Sequence, residues 1–197
     1  DRGEEEAVKR IHFYEGGRPM EETDLIVVDE KSPGFEAWKS TVVPHGVSVR
    51  FRESGEVERL AYFDRGLLQG PMKVFYPKGQ LNHVTTFKQG NPEGKIYSYH
   101  ENGQALAEGT YKDGKLEGDY VRFFASVERE VLSPYVEGEI HGKLIEWYEN
   151  GSEKVENRYV HGKLHSEGNQ SAVIRYDENH TIVELQDFFQ GNPHGDH

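Results

Sequence analysis

Glycine stands at positions 46, 70, 94, 118 and 142, each 24 residues after the last, and a second column at 66, 90, 114, 138 and 162 keeps the same step. A third column runs Gly55, Gly79, Gly103, Val127 and Gly151, with valine as its one exception. Four residues before it stand Phe51, Phe75, Tyr99, Phe123 and Trp147; eight after it stand Phe63, Phe87, Tyr111, Tyr135 and Tyr159. Five columns in phase over five units are a tandem repeat. A repeat of this period is one supersecondary unit that stacks on its neighbours.

Both ends continue the pattern with insertions. Phe13-Tyr14-Glu15-Gly16-Gly17 reads like Trp147-Tyr148-Glu149-Asn150-Gly151, and Phe188-Phe189-Gln190-Gly191-Asn192-Pro193 reads like Phe87-Lys88-Gln89-Gly90-Asn91-Pro92. Seven units result: an irregular N-terminal repeat and cap over 1–45, five regular repeats over 46–165, and an irregular C-terminal capping repeat over 166–197.

Each unit reads as two strands. Asn-Gly and Asp-Gly, as in Asn102-Gly103 and Asp113-Gly114, are strong hairpin signals because glycine takes positive φ at low cost. β-branched and aromatic residues fill the segments between turns, and none keeps a 3.6-residue apolar period. A three-residue loop ending on the third-column glycine is the expected turn. Counted from that loop alone, the aromatics four before and eight after it should share one face, leaving the other largely hydrophilic. Val127 is expected to force a different turn. The fold class is therefore all-β, an elongated antiparallel hairpin meander in a single twisted sheet, advancing roughly 10 Å per unit.

Composition narrows the function. There are 35 acidic against 23 basic side chains, a formal charge of −12, and no cysteine. Disulfides, thiolate metal sites and cysteine nucleophiles are excluded. The acidic balance argues against a phosphate-tracking nucleic-acid binder and against attachment to anionic lipid, and suits a basic protein partner. The chain starts at Asp1, so any signal sequence, lipid or membrane attachment is expected in a segment ahead of it.

Tyr99-His100-Glu101-Asn102-Gly103, Gly109-Thr110-Tyr111-Lys112-Asp113-Gly114-Lys115-Leu116-Glu117-Gly118 and Trp147-Tyr148-Glu149-Asn150-Gly151 resemble MORN-type repeats. They are similar to the variant common in bacterial proteins of the YwqK-like antitoxin family. The resemblance implies an elongated β-meander that binds proteins, in some members a cognate toxin, in the cytoplasm or cell envelope of a bacterium. It carries no catalytic residue and no cofactor. The leading expectation is a monomeric, non-enzymatic interaction module, with antitoxin or immunity function as its specific form. The alternative is a structural or envelope-associated scaffold.

No hydrolase elbow, P-loop, metalloprotease or calcium-loop motif is present. Ten histidines are scattered, and His161 and His165 would need a helix to share a metal where the sequence reads as a turn. Phe51, Phe75, Tyr99, Phe123 and Trp147, with Gly55, Gly79, Gly103 and Gly151, are assigned to the repeat's own architecture. The column one residue further on, Arg52, Tyr76, His100, Phe124 and Tyr148, is less obligatory. Tyr76, His100, Phe124 and Tyr148 are expected to form an apolar stripe on the polar face and to contact a partner.

Overall fold

The computed structural model describes residues 8–194. The chain is nearly all-β, 61% strand and 3% helix, with its strands in hairpin meander order. Seven hairpins follow one another: Val8–Phe13 with Pro19–Val27, Val42–Phe51 with Val57–Asp64, Gly70–Phe75 with Leu81–Lys88, Asn91–Tyr99 with Ala105–Lys112, Gly118–Phe123 with Arg129–Val136, Gly142–Trp147 with Glu153–Val160, and Val173–Tyr176 with Ile182–Gln186. They fall into two compact units. The first runs through Gly94 and includes 101–103; the second takes 95–100 and continues from Gln104.

Two turn types alternate, each read from its glycine column. Arg65-Gly66, Gln89-Gly90, Asp113-Gly114, Glu137-Gly138, His161-Gly162 and Gln190-Gly191 all pair positive φ with positive φ, the type I′ signature that matches strand twist. The third column closes three-residue loops. The Arg52 N–H donates to the Glu56 carbonyl at 2.8 Å and the Gly55 N–H to the Arg52 carbonyl at 2.9 Å, and Tyr76–Gln80 and Tyr148–Ser152 repeat the arrangement. Val127 does not depart from it. The Val127 N–H donates to the Phe124 carbonyl at 2.9 Å, and its φ of 69° matches the 87° of Gly79. The expected different turn is absent, because the flanking strands hold the loop geometry against the residue's preference.

The expectation that both aromatic columns share a face is also overturned. Arg50 stands opposite Arg59 but Phe51 stands opposite Val57, so Glu58 is an extra residue in the ladder. The same shift separates Val74 from Phe75, Arg122 from Phe123, Glu146 from Trp147 and Arg175 from Tyr176. One extra residue inverts the side chains beyond it. Phe51 and Phe75 therefore lie on the face opposite Phe63 and Phe87, and Phe123 and Trp147 on the face opposite Tyr135 and Tyr159. The Arg52 and Tyr148 column shares its face with the later aromatics.

The later aromatics have a specific task. Gly46 pairs with Phe63, Gly70 with Phe87, Gly118 with Tyr135 and Gly142 with Tyr159. Each ring stands opposite the first-column glycine and supplies the cross-strand packing that a bare backbone lacks. Beside these rings the face is built from small residues, Ser48, Ala61, Ala107 and Ser133, buried beneath longer neighbours.

The insertion before the second hairpin supplies a small core. Ile26, Val28 and Val43 are buried with Phe35 against them. Phe35 belongs to the six-residue helix Pro33–Trp38, a turn of helix the apolar pattern gave no reason to expect. The Ser32 hydroxyl caps it by accepting the Phe35 N–H at 3.1 Å. Trp38 donates its indole N–H to the Gly66 carbonyl at 2.7 Å and lies edge-on to Phe63 at 6.1 Å.

Candidate functional site

In the first unit the two faces differ sharply. The Phe63 face is covered by a polar lattice. Arg59 bonds Glu21 at 2.8 Å, Arg50 and Arg52 both bond Glu58 at 3.0 and 3.2 Å, and Thr23 and Ser48 share a hydrogen bond of 2.9 Å. The Phe51 face carries an open apolar patch, entered by Glu22 between Ile11 and Val49 and by Lys73 beside Leu60. Val47 and Tyr62 are direct cross-strand partners, as are Val49 and Leu60. Val47 is 50% and Tyr62 44% exposed, with Ile11 40% exposed on the same face. Lys9 sits at the rim, 3.8 Å from both Glu22 and Asp24. The signal for this patch was present as the alternation Val47-Ser48-Val49-Arg50-Phe51, whose odd positions are apolar, but only the register shows which neighbours they meet.

In the second unit the corresponding face carries a groove of about 350 Å³ between adjacent three-residue loops, lined by Phe123, Val127, Glu128, Arg129, Trp147 and Gly151. Further along the face Glu156 is buried and held by Lys143 at 2.9 Å and Arg158 at 2.6 Å. That carboxylate is fully paired and serves packing.

The expected contact residues are half-buried and are not left loose. The Tyr148 hydroxyl donates to the Tyr176 carbonyl at 3.0 Å. The His100 Nε2 lies 3.3 Å from the Phe123 carbonyl. Arg52 donates to the Phe75 carbonyl at 2.7 Å and the Tyr14 hydroxyl to the Phe51 carbonyl at 2.9 Å. In each case the side chain one past the first aromatic column reaches the backbone of the next hairpin's member of that column. The column is an inter-repeat tie, and Phe124 is the member whose side chain has no donor. Lys154 lies over the Tyr148 ring at 5.8 Å.

The histidines form a second backbone-serving column. His45, His141 and His165 each turn Nδ1 toward the N–H of a type I′ turn residue, Arg65 at 3.1 Å, His161 at 3.4 Å and Gln190 at 3.5 Å. Gln69 and Glu117 serve Gln89 and Glu137 in the same way. The His161 ring meets His141 at 4.9 Å, while His165 meets Phe189 at 5.3 Å. Among the described residues no three His, Asp or Glu side chains come together as a metal-binding set.

Besides the Glu56 carboxyl, held down by its hydrogen bond with Ser54, three groups titrate away from their ordinary values. Burial pushes the His83 imidazole down. Burial pushes the Tyr120 phenol up; burial also raises Tyr176, with Glu156 and Glu153 adding to it.

Comparison with known proteins agrees with this architecture. The family described as MORN repeat variant matches residues 68–89 and 92–113. No curated protein matches the chain. A solved structure, titled as a GtfA/B complex bound to UDP and GlcNAc, aligns at 13% identity with a TM-score of 0.25, over 56% of this chain and 22% of that one. The chain thus spans about a fifth of that protein, and so loose a match bears on neither fold nor ligand.

Proposed function

We propose that this array of MORN-type hairpins is a non-enzymatic protein-interaction module, and that its partner is a basic protein, in the most specific form a toxin that it neutralises. The observation that carries the reading is the open apolar patch of the first unit, where Val47 and Tyr62 stand side by side half-exposed, on the face opposite the polar lattice. An exposed aromatic in an apolar patch is the usual anchor of a protein interface. The −12 charge supplies the long-range attraction for a cationic partner. Tyr76, His100, Phe124 and Tyr148 enter as secondary contacts that offer ring surface, while the polar ends of His100 and Tyr148 serve the fold.

The test is affinity capture on the immobilised chain, repeated with Tyr62→Ala and Val47→Asp, followed by binding kinetics with the captured protein. A basic protein should be retained by the parent chain, lost or weakened at least tenfold by either change, and bound more slowly as salt rises. Unchanged binding by both variants, with loss in Tyr148→Ala instead, would move the site to the Tyr148 face of the second unit.

A further inference from the structure

We propose that the chain associates head to tail with a second copy of itself, the strand Val8–Phe13 of one copy adding to the strand Ile182–Gln186 of the next. Among the described residues, Val8–Phe13 is paired only with Pro19–Val27, and Ile182–Gln186 only with Val173–Tyr176. Both edges are apolar and exposed: Val8, Ile11 and Phe13 on one, Ile182, Val183 and Leu185 on the other. Open edges of this kind are templates for another strand.

The pairing is dictated by the junctions inside the chain. At five places where one hairpin meets the next, the residue four after a loop's closing position stands opposite the residue five before the following one. Glu21 faces Arg50, Arg59 faces Val74, Ala107 faces Arg122, Val131 faces Glu146 and Val155 faces Arg175. The last loop closes on His180 and the first on Gly17. The same rule therefore sets Glu184 against His12, Leu185 against Ile11 and Gln186 against Arg10.

That register is chemically matched. Val8–Phe13 carries Lys9, Arg10 and His12 and no acid; Ile182–Gln186 carries Glu184 and no base, with Asp177, Glu178 and Asp187 flanking it. The apolar pair falls between the two polar ones. Opposite charges and apolar side chains directly across a ladder are the contacts that stabilise strand pairing. Because the two edges differ, the contact is heterologous and extends into a string of copies rather than closing a two-fold dimer.

Sedimentation of the full chain from micromolar to millimolar concentration should show progressive growth. Gln186→Arg places like charges opposite each other and should weaken association about tenfold or more; Gln186→Arg combined with Arg10→Glu should restore it. The chain has no cysteine, so an independent readout is a mixture of two single variants, Ile11→Cys and Leu185→Cys. Mild oxidation should give the mixed disulfide dimer, and markedly less when Phe13→Cys replaces Ile11→Cys. A monomer at millimolar concentration, failure of the charge exchange to restore growth, or equal linking in the shifted control would overturn the proposal. So would a disulfide closing within single dilute chains of the Ile11→Cys, Leu185→Cys double variant.

Discussion

Replacing Val127 by glycine should stabilise the second unit. Val127 closes its loop at φ 69°, a position that Gly55, Gly79, Gly103 and Gly151 occupy in the sister hairpins. A β-branched side chain in the left-handed region costs roughly 1–3 kcal/mol. Glycine gives back about 0.5–1 kcal/mol through the greater freedom of the unfolded chain. Val127 is 54% exposed, so its packing against the Phe123 and Trp147 groove offsets only part of the difference. The net expectation is a gain of about 1 kcal/mol. Urea unfolding followed by Trp147 fluorescence should show a higher midpoint at unchanged slope, since no extra surface is buried. The converse change isolates the backbone effect. Gly103 has φ 86° and nothing within 4 Å of an added Cβ, so Gly103→Val should cost about 1–3 kcal/mol from strain alone. A neutral or destabilising Val127→Gly, alongside a harmless Gly103→Val, would refute the assignment of a common left-handed loop position.

Gly34→Ala should be far more damaging than an ordinary glycine change, because its Cβ would lie 2.1 Å from the Arg65 carbonyl oxygen; loss of the Trp38–Phe63 contact should appear in near-ultraviolet dichroism. Tyr148→Phe removes the donor to the Tyr176 carbonyl and should cost about 0.5–1.5 kcal/mol in chemical denaturation, whereas Phe124→Leu, with no such bond to lose, should cost less. Burial holds the His83 imidazole below its ordinary 6.5, so as pH falls the unfolded chain takes the proton first. The stability contributed by neutral His83 is present above that value and declines below it, and His83→Gln should flatten the acid side of the melting-temperature profile.

The repeat, the two turn types and the hairpin order were legible in the sequence because each rests on local chemistry. Paired positive φ at His161-Gly162 or a loop closing at Gly151 is written in the glycine columns themselves, and strand follows turn with no information from elsewhere. The candidate surface was legible only in part, as the alternation Val47-Ser48-Val49-Arg50-Phe51 in an acidic chain. Its placement was decided by tertiary structure. The extra residue at Glu58 inverts Phe51 relative to Phe63, and no column marks it, because it arises where two strands must satisfy neighbours on both sides. The same holds for Tyr148, whose ring suggested an exposed contact until the carbonyl of Tyr176 arrived 28 residues later to bond it. Helix Pro33–Trp38 was hidden for a related reason: six residues are too short to show a period, and what holds them is Trp38 reaching Gly66 across the fold. Local φ preference is carried by a residue and its neighbours. Which face a side chain meets depends on strand register, and register is settled only when the hairpins come together.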